Sequence, residues 1–183
     1  MRLYIKIVPN LLCIFRIVSA FISVLFLNRG YKSFAIAIIL LGAVSDFFDG
    51  YIARKYNAVT KLGTLLDPLA DKIFSNFVLW GIWFYTPNAT LFALASLLTV
   101  RDLSLLVGSV FVLKTKVKVS LQPMFISKVC TTFVFSYILL YLVCNPMNKV
   151  ISLMGVTSMI LTVITATLYA IRYFRNTRNL SQT

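Results

Sequence analysis

Six apolar runs, at about 9–28, 33–54, 63–85, 90–113, 124–144 and 150–171, take up most of this 183-residue chain. Each is close to the roughly 20 residues that a helix needs to cross a bilayer. Hydrocarbon offers no partner for an open backbone N–H or C=O, so helix is the state these runs must adopt. Loop signals separate them: Asn28-Arg29-Gly30, the polar stretch from Lys55 to Lys61, Thr86-Pro87-Asn88, the segment from Lys114 to Pro123, and Asn145-Pro146. With 60% hydrophobic and 13% charged residues and a mean hydropathy of +0.89, there is too little polar surface to cover a soluble globule. The expected fold is all-α: one integral membrane domain over residues 1–183, a bundle of six transmembrane helices with a cytoplasm-facing polar cavity and a polar C-terminal tail at 172–183.

The net charge of +13 does not point to nucleic acid, because the basic residues sit between apolar runs and form no basic arm. Anionic membrane lipid is the better counterpart. Assigning loops alternately to two sides puts Arg2, Lys6, Arg54, Lys55, Lys61, Lys114, Lys116, Lys118, Arg172, Arg175 and Arg178 on one side, against Arg29, Lys32 and Lys149 on the other. The positive-inside rule makes the first side cytoplasmic, with both termini there. A signal peptide is disfavoured because Arg16 interrupts the first run and no convincing cleavage site follows. The lack of a long presequence favours a bacterial inner membrane. Cys13, Cys130 and Cys144 stand apart within apolar runs and read as buried thiols. No histidine is present, which removes histidine-activated nucleophiles and most transition-metal sites.

All five acidic residues are aspartates, and Asp46, Asp49, Asp67 and Asp71 fall close together in otherwise apolar sequence. A carboxylate in hydrocarbon costs about 2.5–3.5 kcal/mol on insertion scales, so such a group needs compensation and marks a functional centre. The spacings i, i+3 and i, i+4 keep each helix's two acids on one face. Counted from the cytoplasmic ends of helices 2 and 3, Asp49 and Asp67 lie roughly 6–8 Å deep and Asp46 and Asp71 roughly 12 Å deep, which makes a shallow and a deep pair. Four converging carboxylates repel one another unless cations neutralise them. Two divalent ions do this economically, and magnesium suits carboxylates, water and substrate phosphates. Arg16, Lys72 and Lys128 lie at similar depth, and Arg101 and Asp102 lie deeper. Snorkelling accounts for Arg16 and Lys128 equally well when position alone is considered. Gly50 and Ala53 leave little bulk beside Asp49, and Gly63 does the same one turn before Asp67. Close helix packing is the plain alternative for small residues of this kind.

The stretch Asp46-Phe-Phe-Asp49-Gly50-Tyr-Ile-Ala53-Arg54, eight residues, then Gly63-Thr-Leu-Leu-Asp67-Pro-Leu-Ala-Asp71 resembles, position for position, the signature of the CDP-alcohol phosphatidyltransferase family, D-x-x-D-G-x-x-A-R-x(8)-G-x-x-x-D-x-x-x-D. The likeness also covers Pro9-Asn10 with Arg16, the Lys72 that follows Asp71, and the six-helix layout. It implies a magnesium- or manganese-dependent transfer of a phosphatidyl group from CDP-diacylglycerol to an alcohol, with release of CMP. By this resemblance Asp46, Asp49 and Asp67 hold two metal ions, and Asp71 completes the carboxylate cluster as general base. Asp49, Gly50, Ala53, Arg54 and Gly63 line the CDP-diacylglycerol site, and a homodimer is expected.

Two subfamilies share the Pro-Asn start and the Asp-Pro-x-Ala-Asp-Lys block. Arg101-Asp102 and the run Gln122-Pro-Met-Phe-Ile-Ser-Lys128-Val-Cys-Thr131 look more like cardiolipin synthases, whose acceptor is phosphatidylglycerol. The alternative is the phosphatidylglycerophosphate type, whose acceptor is glycerol 3-phosphate. Arg101 and Lys128 are candidates for the acceptor phosphate in either case. A cation or proton-coupled transporter is the rival from another class, since such carriers also use intramembrane acids. The glycines, Ala53-Arg54 and the spacing argue against it.

Overall fold

The computed structural model describes residues 2–55, 61–115, 125–144 and 148–178. Six helices run through them: α1 (Arg2–Asn28), α2 (Lys32–Lys55), α3 (Lys61–Tyr85), α4 (Ala89–Thr115), α5 (Phe125–Val143) and α6 (Lys149–Arg178). The all-helical expectation holds for these residues. Two boundaries differ from it. Helix α1 begins at Arg2 and runs through Pro9, a residue that membrane helices tolerate because neighbouring groups re-satisfy the backbone. Helix α6 continues to Arg178 and takes in much of the expected polar tail.

Among the described residues four helices are long and apolar enough to cross a membrane: α1, α4, α5 and α6. These mark an integral membrane protein. In α2 the described side chains form the apolar stretch Lys32–Ser45, and the rest of α2 and the first turns of α3 lie outside the residues whose side chains are described.

The helices form two compact units, Met1–Asn88 and Ala89–Thr183. In the first, α1 packs along both α2 and α3. Cys13, Arg16, Ala20, Ser23 and Leu27 make its buried stripe, at the spacing of one helix face. The tight turn into α2 is closed by Gly30, whose φ is 81°. Its N–H bonds to the Leu27 carbonyl and the Tyr31 N–H to the Phe26 carbonyl, each at 2.9 Å. This is the paired pattern of a left-handed helix cap, where glycine carries no Cβ penalty.

Two other glycines set the interhelical distance. A Cβ on Gly42 would lie 2.5 Å from Ser19 Oγ and 2.6 Å from the Phe74 ring, and one on Gly81 would strike the Val24 side chain. Small residues at such crossings let helix backbones approach in lipid, where apolar area alone gives no drive to associate. Gly81→Val is therefore expected to cost about 1–3 kcal/mol by overpacking. A lowered melting temperature in detergent checks this, and unchanged melting would show that α1 and α3 are not held at this distance.

In the second unit α6 packs against both α4 and α5. Its buried positions Ile151, Gly155, Ser158, Thr162 and Thr165 form a mostly small-residue stripe. A Cβ on Gly155 would lie 2.7 Å from Thr90 of α4 and 3.1 Å from the Tyr137 ring of α5. The buried hydroxyls donate within their own helix: Ser158 to the Met154 carbonyl and Thr162 to the Ser158 carbonyl, both at 2.7 Å. No polar partner across the bundle is then required of them.

Candidate active site

Ser19, Gly42 and Phe74 meet at one level of the first unit and serve as a register mark for its aspartates. From Gly42, Asp46 is one helical turn farther along α2. From Phe74, Asp71 is three residues back along α3, so the two lie about 4.5–6 Å from the mark. Asp49 and Asp67 are each seven residues away, about 10 Å. Backbone register thus gives a deep and a shallow level, one acid from each helix at each. The opposite end of this unit carries the Phe26, Tyr31 and Phe34 ring cluster and, at the end of α3, the contacts of Trp83 with Trp80 and Phe84. Tyrosine and tryptophan gather where a membrane meets water.

Of the four acids, Asp71 is the one whose side chain is among those described. It is 53% exposed and accepts an ion-paired hydrogen bond at 2.5 Å from Arg16, whose own side chain is only 1% exposed. The side chains of Asp46, Asp49, Gly50, Ala53, Arg54, Gly63 and Asp67 lie outside the described residues, and so do their expected metal and CDP contacts. The donor chemistry still suits hard divalent ions: aspartates at two matched levels, one of them visibly open, and no histidine in the chain.

In the second unit, Arg101 and Asp102 are both buried. Arg101 Nε and Nη2 donate to Asp102 Oδ1 at 3.0 and 2.8 Å, and Nη1 donates to Cys130 Sγ at 3.3 Å. The Cys130 sulfur lies 3.5 Å from Thr162 Oγ1. One cluster therefore ties α4 to α5 and α6. Lys128, the other candidate for the acceptor phosphate, is exposed, and its carbonyl accepts from the Thr131 and Thr132 hydroxyls at 2.9 and 3.0 Å. Gln122, Pro123 and Met124 lie outside the described residues.

Sequence reasoning missed two things here. It placed Arg16 at the depth of the aspartates without finding its carboxylate partner, and it read Cys130 as a buried thiol, which it is, without its contacts to Arg101 and Thr162. A signal for the second was present, since Thr162 sits in a stripe of small residues on α6 at helical spacing.

A family model described as CDP-alcohol phosphatidyltransferase matches residues 6–168, across both units. The chain belongs to the CDP-alcohol phosphatidyltransferase family. Among curated relatives of this family, a CDP-diacylglycerol–glycerol-3-phosphate 3-phosphatidyltransferase of Aquifex aeolicus is 38% identical over 128 residues, 69% of this chain and 70% of the relative. Proteins of the same name from Rickettsia typhi and Escherichia coli K12 are each 42% identical. The first matches 37% of this chain and 40% of the relative, the second 36% and 38%. These phosphatidyltransferases are named for glycerol 3-phosphate, so the preference for a cardiolipin-type acceptor drawn from Arg101-Asp102 and the opening of helix 5 is revised. The structure supplies a physical reason why Arg101-Asp102 was a poor guide. The two side chains are engaged with each other and with Cys130, a structural role that says little about the alcohol.

Proposed function

We propose that this phosphatidyltransferase moves the phosphatidyl group of CDP-diacylglycerol to a hydroxyl of glycerol 3-phosphate, giving phosphatidylglycerophosphate and CMP. The names of the similar Aquifex, Rickettsia and Escherichia proteins support this acceptor. The observation that carries the chemistry is the Asp71 carboxylate, half exposed at the deep aspartate level and held by a buried arginine. The acceptor O–H breaks and its proton passes to Asp71. The freed oxygen bonds to the phosphorus that bears diacylglycerol, and the bond from that phosphorus to CMP breaks, so CMP leaves with the electron pair. Transfer of this kind depends on placement and charge neutralisation, and no covalent enzyme intermediate is required.

Asp46, Asp49 and Asp67, with Asp71 beside them, are the residues that would hold two magnesium or manganese ions. Bound there, the ions would neutralise the diphosphate charge. Gly50, Ala53, Arg54 and Gly63 would line the CDP site at the ends of α2 and α3. By the positive-inside argument, that end opens to the cytoplasm.

The test is CMP release by the purified chain in detergent with CDP-diacylglycerol and magnesium, comparing glycerol 3-phosphate with phosphatidylglycerol. Turnover with glycerol 3-phosphate, lost on adding EDTA and restored by excess magnesium, is the expected result. Turnover with phosphatidylglycerol alone would return the cardiolipin reading. Full activity in EDTA would overturn the metal site.

A further inference from the structure

We infer that Arg16 is a positioning residue for the Asp71 carboxylate and not a ligand for substrate phosphate. The inference rests on Asp71 being the base of the reaction proposed above. An arginine stays charged under all ordinary conditions, so one buried on a membrane helix requires an anion. Arg16 has one in Asp71, and the two ends of the pair are unequal: 1% of the arginine side chain is exposed against 53% of the aspartate. An arginine that receives phosphate presents its planar fork to the incoming ligand. Here the side chain is sealed within the α1 packing face, with Nη1 on the Asp71 carboxylate.

The backbone of Arg16 is braced where α1 meets α2 and α3. Its carbonyl accepts from Ser19 Oγ at 2.7 Å, and that hydroxyl lies where Gly42 and Phe74 close on α1. On the other side, Ser75 Oγ donates to the Asp71 carbonyl at 2.5 Å. A carboxylate turns easily about its terminal torsion. Anchoring Oδ1 to Nη1 restrains the group at the position from which the acceptor proton is taken. A base displaced by 1 Å from its productive position can cost about 100-fold in rate.

Arg16→Gln and Arg16→Lys in the full chain test this, with kcat and KM measured for CDP-diacylglycerol and for whichever acceptor the wild type uses. Arg16→Gln is expected to lower kcat by about 100-fold with both KM values unchanged, and Arg16→Lys to recover part of the loss. A raised KM for either substrate with kcat intact would make Arg16 a phosphate ligand and overturn the inference. Unchanged kcat in both variants would overturn it too. If Arg16→Gln does not fold, Arg16→Lys keeps the cation and reads the same division between kcat and KM. Wild-type turnover of phosphatidylglycerol would defeat the proposed acceptor and leave this test standing, whereas an active Asp71→Asn would remove the base and the inference with it.

Discussion

Asp71→Asn is expected to lower kcat by about 10²–10⁴-fold, the range for losing a general base, while CDP-diacylglycerol still binds. Asparagine keeps the size of aspartate and a carbonyl oxygen that can accept from Arg16, so α1 and α3 retain their contact. What is lost is the proposed acceptor of the hydroxyl proton. In the proposed site the CDP moiety is held by residues around Asp49, Gly50 and Arg54, so its binding is expected to persist. The measurements are turnover under saturating substrate and direct CDP-diacylglycerol affinity on the same preparation. Activity within tenfold of wild type would place the base elsewhere. Loss of CDP-diacylglycerol binding in a protein with an unchanged melting curve would assign Asp71 to substrate or metal and not to proton transfer alone.

The second large effect is expected on stability. Asp102→Asn leaves the buried Arg101 charge without the carboxylate that both Nε and Nη2 contact. Removing one partner of a buried ion pair costs about 3–5 kcal/mol, because the remaining charge is uncompensated. In a chain of this size that corresponds to a fall in melting temperature on the order of 10 °C. Replacing the whole pair with apolar side chains of similar volume is often neutral. Arg101→Met with Asp102→Leu is therefore expected to melt well above Asp102→Asn, whatever it does to turnover. Equal melting of wild type and Asp102→Asn would show that the cluster with Cys130 and Thr162 does not hold the second unit together. A double variant no more stable than Asp102→Asn would show that the uncompensated Arg101 charge is not the source of the cost.

The candidate aspartate site was legible in the sequence because its parts are local. Four acids, three small residues and Arg54 lie on two consecutive helices joined by a short loop, and the 3.6-residue repeat alone places each pair of acids on one face. The structure adds the register mark at Ser19, Gly42 and Phe74, which brings the acids to matched levels. The partner of Arg16 was not legible, nor were the contacts that Cys130 makes with Arg101 and Thr162. Arg16 and Asp71 are 55 positions apart, and Cys130 and Thr162 are 32 apart. In lipid, the outer face of a helix is as apolar as its packed face, so hydrophobic periodicity gives little sign of which neighbour a side chain will meet.

Composition and apolar run length were enough to require membrane helices, because hydrocarbon admits no open backbone. The motif from Asp46 to Asp71 was enough to point to CDP-alcohol chemistry, because its residues match the family signature position for position. Which helices press together was settled by tertiary structure, through glycines that permit contact and buried charges that demand a counter-ion. Folding made Arg16, one arginine among several in the sequence, the sealed partner of Asp71, and it turned Arg101 and Asp102 from a hint about the acceptor into an ion pair within the second unit. Both outcomes follow from one rule: a charge taken out of water must find its opposite, and only packing decides which one is within reach.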